Sequence, residues 1–417
     1  MLASREVFRA FAAHDFTAFL AANEHADLDA LARGLPLAVQ AHGLELRLSG
    51  GDEHADYLVC LDDEPETVAS VRALSEKKRS DGAPLTRVDA YLDAWSAAAS
   101  QQRPAFPQLW LEWDRPRGQG LSDPGVFLAP ASSEPPPAIR EQHAGPESEP
   151  SPAIREPREG PRSGPAPQGF LSRALGVALR ILYSEATAQR HEATIARVRG
   201  LLPPGARLRH IGAMPGRSPE FLRLVLEDVS PERLIPLLRS LDWPGDTGAL
   251  EGLLSEVAER TSCIPSLVDL DFLEKPSPAL GLELLLVGNR RPEDGGARLL
   301  EALVEKGWAS AEKARALAGW LRWEVRDTPG ERALWGKLYH IKLSLSGGGA
   351  GGAGDARGAV GAGDSGGAGG AGNAGDSAVR AKAYIGFFGG PSARSVAMVH
   401  GALREKAGLT ATAPGDS

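Results

Sequence analysis

Cysteine is almost absent from this chain. Only Cys60 and Cys263 occur in 417 residues, too few for a disulfide framework or an all-thiolate zinc site. Each stands in or beside an apolar strand-like run, where a buried thiol behaves as a small hydrophobe. Long apolar runs are missing too, and none reaches the length of a bilayer span. Met1 to Leu20 carries Arg5, Glu6, Arg9 and Asp15 on a helical period, not the apolar centre of a secretion signal. A cytoplasmic location is the expectation by default. Charge of one sign is not in large excess: the net is -8, which does not advertise nucleic acid or an anionic membrane. Neither a Walker loop nor a dinucleotide fingerprint precedes a helix, and no Ser or Cys sits in a nucleophile elbow. Those absences exclude the common nucleotide-binding and acyl-transfer classes.

What is present is globular, with 42% hydrophobic and 24% charged residues. Two stretches stand apart. Residues 129–168 are rich in Pro, Glu, Ser and Arg and repeat Pro-Ala-Ile-Arg-Glu from Pro137 and Pro152. Residues 347–377 are nearly pure Gly, Ala, Asp and Ser. Neither holds enough apolar surface to offset its ordering entropy, so both are expected to be disordered insertions. They divide the chain into 1–128, 169–346 and 378–406, with a flexible tail at 407–417.

The folded parts follow one rhythm. Ala3–Ala22 and Leu28–Ala41 have a helical period, followed by strand-like Leu44–Leu48 and Tyr57–Leu61. Helices are expected at Pro65–Ser75 and Thr86–Ala98, then strands at Leu109–Asp114 and Gly125–Leu128. The acidic run Asp62-Asp63-Glu64 reads as a helix cap. Phe170–Leu201 is one long helix or two. Strands Arg207–Ile211 and Phe221–Leu226 precede helices Pro231–Ser240 and Ala249–Arg260. Strands Leu267–Phe272 and Leu282–Leu286 precede helices Ala297–Lys306 and Ser310–Leu321. The last strand pair is Leu338–Leu345 and Arg380–Phe387, with a closing helix at Ser392–Lys406. Helix, strand, strand, helix thus recurs five times, a period in elements rather than letters.

Five consecutive hairpins can close into a ten-stranded antiparallel β-barrel with helices outside, an α+β fold. The alternation assigns the faces. Leu44, Leu46, Leu109, Leu111, Trp113, Leu222, Leu224, Leu226, Val268, Leu270, Ile341, Leu343, Ala383 and Ile385 would meet the helices. Glu45, Arg47, Glu112, Asp114, Arg207, Arg209, Arg223, Asp269, Asp271, Glu283, His340, Lys342, Ser344, Arg380, Lys382 and Tyr384 would line the lumen. An open sheet with one wet face would show the same alternation. The number of helices favours closure, and a barrel wider than about eight strands leaves room for a ligand. His340 lacks a second His at ligand spacing and reads as a barrel residue. Trp308, Trp320 and Trp323 read as helix-packing aromatics.

This element order resembles the prenyltransferase (ABBA-type) barrel, shared by aromatic prenyltransferases of bacterial secondary metabolism, fungal indole prenyltransferases and cyanobactin prenyltransferases. Lys382-Ala383-Tyr384 is similar to the Lys-x-Tyr strand signature of the indole enzymes, and Lys342-Leu343-Ser344 to a degenerate second copy. The resemblance implies prenyl transfer from an allylic diphosphate to an aromatic or peptide acceptor. Arg209, Arg223, Lys342, Arg380, Lys382 and Tyr384 would then bind the diphosphate, and Glu112 or Glu45 would take the acceptor's proton. Asp114, Asp269 and Asp271 would be the ligands of a Mg2+ cofactor. The chain departs from the family in having only 5 Tyr and in the acidity of its inferred lumen. The alternative is a non-catalytic barrel binding a small molecule or peptide partner.

Overall fold

The computed structural model describes residues 2–3, 16, 18–35, 37–39, 41–82, 84–100, 105–114, 123–129, 168–261, 263, 265–286, 292–321, 324–328, 332–346 and 379–391. Ten strands form a closed antiparallel ring. In chain order they are β1 (Ala41–Arg47), β2 (Ala55–Asp62), β3 (Gln108–Trp113), β4 (Gly125–Ala129), β5 (Arg207–Met214), β6 (Phe221–Glu227), β7 (Leu267–Phe272) and β8 (Pro276–Leu285), followed, after a short β9 (Glu324–Thr328), by β10 (Arg332–Leu345) and β11 (Val379–Pro391). Neighbours in the chain are neighbours in the sheet from β1 to β8, and β11 pairs with both β1 and β10. Pairing of β8 with β10, from Leu280 with Leu345 to Leu285 with His340, closes the ring. Closure removes the sheet edges that would otherwise invite pairing with other chains. The outlying β9 pairs with the first part of β10, beyond the ring.

Helix pairs occupy every second connection. These are α2 (Pro65–Ser80) with α3 (Arg87–Ser100), α4 (Gln168–Leu182) with α5 (Glu185–Leu201), α6 (Pro231–Ser240) with α7 (Thr247–Thr261), and α8 (Pro292–Glu305) with α9 (Ala311–Ala318); α1 (Ala22–Gly34) precedes the ring. Local chemistry sets their ends. In α2 a proline opens the first turn, and Lys77, Lys78 and Arg79 close the last, where cations suit the helix dipole. The α4–α5 break falls before Ser184, whose hydroxyl accepts from the Thr187 N–H at 3.3 Å. Because helices connect the strands at one end of the barrel, all five hairpin connections lie at the other. Leu345 and Val379, which flank the Gly-rich stretch, are register partners there.

The main core lies between ring and helices. Leu44, Leu46, Tyr57, Leu109 and Leu111 from the strands share one buried cluster with Val68, Val71, Leu92 and Trp95 from the helices. Burying each such aliphatic side chain is worth about 1.5–3 kcal/mol. Trp320 joins this layer, stacked on Phe16 at 5.7 Å and edge-on to Phe387 at 5.4 Å. Cys60 and Cys263 are buried and not joined in a disulfide, as expected. Lys313 of α9 fixes the β1–β2 hairpin from outside the barrel. Its ammonium donates to the carbonyls of Arg47 and Ser49, each at 2.9 Å, and to that of Asp52.

Some expectations need correction. The helix expected over Leu28–Ala41 runs instead over Ala22–Gly34, and Ala41 already begins β1. The short strand β9 was not foreseen. Leu2–Ala3, placed at the start of the expected N-terminal helix, pairs as a two-residue strand with Ala38–Val39. Of the two alternatives left open for 170–201, one helix or two, the structure has two. A bulge between Leu208 and His210 brings His210 opposite Val225, leaving Arg209 as the inserted residue. Most of Ala3–Ala22, both low-complexity stretches, Trp323 and the closing helix at Ser392–Lys406 lie outside the described residues.

Candidate functional site in the barrel lumen

Strand alternation sends one side chain in two into the barrel, and two kinds of surface result. Trp110, Phe127, Met214, Phe221, Val225 and Leu267, from β3 to β7, form an apolar cluster separate from the main core. Polar and charged residues line most of the rest, with Leu58 and Gly43 among them.

The charged side is built from direct cross-strand neighbours. Lys342 stands opposite Lys382, and His340 opposite Tyr384. Lys382 faces Arg47 and Tyr384 faces Glu45 across the β11–β1 pair, while Glu45 faces Asp56 on β2. Glu45, only 1% exposed, is the hub: Lys382 is ion-paired with it, and the Tyr384 hydroxyl donates to it. Arg47 pairs with Asp56 at 2.9 Å. His340 stacks on the Tyr384 ring at 3.9 Å and lies 3.4 Å from Glu283. Lys342 pairs with Asp269 two strands away. Gly281 makes that reach feasible, because a Cβ there would stand 2.7 Å from the Lys342 Cε and 3.1 Å from the Asp269 side chain.

Arginines mark the border with the apolar side. Arg223 grips Asp271 with two parallel bonds of 2.7 and 2.9 Å, the bidentate geometry that favours Arg over Lys. Arg217 pairs with Glu112 at 3.2 Å and also with Asp114. The two guanidiniums lie 5.1 and 5.6 Å from the Phe221 ring centroid, within cation–π range.

Burial and neighbours push the acids apart in strength. Burial alone would raise the Glu45 carboxyl, but Lys382, Lys342 and Arg47 override it and hold it well below the usual range. Burial pushes Asp56 up to about 6 despite Arg47. Burial, then Asp114 and Glu45, pushes Glu112 up to about 7 against Arg217 and Arg223. Glu283 is raised strongly by burial and next by Asp269. His340 falls to about 3, through burial and then Lys342, and is neutral at physiological pH. The lumen therefore holds both firmly ionised carboxylates and carboxyls that accept protons near neutrality.

The structure brings Glu45, Glu112, Arg223, Lys342, Lys382, Tyr384, Asp114, Asp269 and Asp271 onto one lumen surface. It does not bring Arg209 or Arg380 to the Glu45 hub. Arg209 lies 3.9 Å from Glu227, and Arg380 is exposed opposite Ser344. Asp114, Asp269 and Asp271 do not converge on one point; each is held by a different cation. The carboxylates that do meet are Glu45, Asp56 and Glu112, each offering an oxygen within 4.8 Å of the other two. That spacing suits a hard divalent cation, although Lys382 and Arg47 already bring positive charge to it. Arg217 and Asp56 were missed in the sequence. Arg217 belongs to a turn, and Asp56 precedes the run of letters that reads as a strand.

No protein-family model matches the chain, and no curated protein matches it. Among the described residues no helix is long and apolar enough to cross a membrane. Chains of solved structure do match. One is AnaPT from Neosartorya fischeri, aligned over 93% of this chain and 94% of its own, with 10% identity and a TM-score of 0.46.

Proposed function

We propose that the lumen binds an allylic diphosphate and transfers its isoprenoid unit to an aromatic or peptide acceptor. The observation that carries this reading is the gathering of Arg47, Arg223, Lys342, Lys382 and Tyr384 beside a wall containing Trp110, Phe127 and Phe221. Cations in a sheltered site stabilise the diphosphate as its bond to the allylic carbon breaks. Aromatic faces shield the allyl cation without trapping it covalently. The acceptor's carbon or heteroatom then bonds to that cation and gives up a proton. Glu112 suits the proton, since its carboxyl titrates at about 7. Glu45 suits it less, because three cations hold it ionised. Should the reaction use Mg2+, Glu45 and Asp56 of that group would hold it, leaving Glu112 for the proton, and the ion would supply charge to the departing diphosphate.

One observation favours the second reading, a non-catalytic barrel that binds a small molecule or peptide. Lys342, Lys382, Arg217 and Arg223 each already have a carboxylate partner, so an incoming diphosphate must displace those partners or meet them protonated. Thermal-shift measurements with dimethylallyl and geranyl diphosphate, with and without Mg2+, separate the two. Stabilisation by a diphosphate supports transfer; stabilisation by neither leaves the binding barrel.

A further inference from the structure

Arg217 is an unusual contributor to the lumen, since it comes from a hairpin turn and not from a strand. Its position is nonetheless well fixed. The base of the β5–β6 hairpin is stitched by Tyr183, at the α4–α5 junction. The Met214 N–H donates to the Tyr183 hydroxyl at 2.7 Å, and that hydroxyl donates to the Phe221 carbonyl at 2.6 Å. The turn also packs closely on the neighbouring β3–β4 hairpin. A Cβ on Gly216 would stand 2.7 Å from the Asp123 carbonyl oxygen, so only glycine lets the two hairpins approach this far. From that anchored turn the Arg217 guanidinium reaches Glu112 at 3.2 Å and Asp114. It also lies 5.1 Å from the centre of the Phe221 ring. Glu112 is 5% exposed as a side chain, and Arg217 is the partner with which it is ion-paired.

We propose that Arg217 is the positioning residue for Glu112, holding the carboxylate from the hairpin turn where it can accept the acceptor's proton. The assignment rests on the transfer reading given above. One guanidinium nitrogen, Nη2, reaches both Glu112 and Asp114 while the planar group lies over Phe221, a flat stacking that the compact ammonium of a lysine does not reproduce. Arg217 therefore acts on the proton-transfer step and not on diphosphate binding, which belongs to Lys342, Lys382 and Arg223.

The test uses the full chain and three variants, Arg217→Gln, Arg217→Lys and Glu112→Gln, with the Arg217→Gln/Glu112→Gln double variant. Transfer by Arg217→Gln is expected to lose at least tenfold in kcat, with less than threefold change in KM for the allylic diphosphate. Arg217→Lys should recover part of that loss. Equal losses in Arg217→Lys and Arg217→Gln, or a loss confined to KM, would overturn the assignment. A second readout does not need activity: the unfolding equilibria of the unmodified protein, Arg217→Gln, Glu112→Gln and their double variant form a double-mutant cycle. A coupling of fivefold or more between Arg217 and Glu112 is expected, and independent effects would overturn the proposal. If Arg217→Gln does not fold, the same cycle is run with Arg217→Met, which also removes the charge. Absence of transfer by the unmodified protein would defeat the transfer reading, while the cycle would still decide whether Arg217 holds Glu112.

Discussion

The two sides of the lumen solve the problem of an enclosed surface differently. On the apolar side, Trp110, Phe127, Met214, Phe221, Val225 and Leu267 pack on one another, so what was removed from water needs no partner. On the charged side a buried charge needs one, and adjoining strands supply it for Lys382, Glu45 and Asp56. The apolar side gains stability from contact area, with no dependence on pH. The charged side gains it only while the pairs stay complete, because a buried charge without its partner is costly. Such a surface can respond to a charged ligand, which the apolar side cannot do.

The comparison can be broken most forcefully at the hub. Glu45→Gln removes the charge that Lys382 pairs with and replaces one of the two oxygens serving Lys382 and Tyr384 by a donor, and should cost about 3–5 kcal/mol in urea unfolding. A cost below about 1 kcal/mol would mean that the hub is hydrated and relaxed. Phe127→Ala should cost a similar or slightly smaller amount, about 3–4 kcal/mol, but identically at pH 5 and pH 8. A pH-dependent cost would mean the two sides are not independent.

Lys342→Met alone should cost about 3 kcal/mol, by leaving Asp269 unpaired. Adding Asp269→Leu should restore most of that stability, since a well-packed apolar pair can replace a buried ion pair. Failure of the double variant to recover would show that Lys342 does more than neutralise Asp269.

Proton linkage gives a smaller and broader effect. Asp56 and Glu112 have raised carboxyls, so the folded chain binds protons more tightly than the unfolded one. Their stabilising contribution is complete below the ordinary carboxylate range and is lost as pH rises through about 6 and about 7. Glu45 and Asp271 are shifted downward, and their contribution is lost as pH falls below the ordinary range. Buried His42, His210 and His340, lowered to about 3, add stability as pH rises toward the ordinary imidazole range, so the melting temperature should peak near about pH 6.5 and decline toward pH 8. Glu112→Gln should flatten the alkaline slope; an unchanged slope would contradict the assignment. The smallest effect belongs to the surface. Arg197→Gln breaks a pair whose side chains are 50% and 79% exposed and should change stability by less than about 0.5 kcal/mol.

Much of the ring was legible because its strands alternate. Lys382-Ala383-Tyr384 shows the period directly, and the structure places Lys382 and Tyr384 inward with Ala383 in the core. Glu112 and Asp271 were legible for the same reason. The apolar side was not, because a strand such as Gly125–Ala129 is apolar throughout and gives no cue to which residues face inward. Arg217 was hidden by its place in a turn, where no period applies. Arg209 was misjudged because a bulge shifts register without any mark in the letters. The pairing of cations with acids was hidden as well, since it depends on neighbours from β1 and β11, far apart in the chain.

Calorimetric titration with inorganic diphosphate, dimethylallyl diphosphate and geranyl diphosphate at pH 6.5 tests the division of the lumen most directly. If the charged side takes the head and the apolar side the tail, all three bind, with affinity rising in that order. Equal affinity for the three, or no binding by any of them, would contradict it.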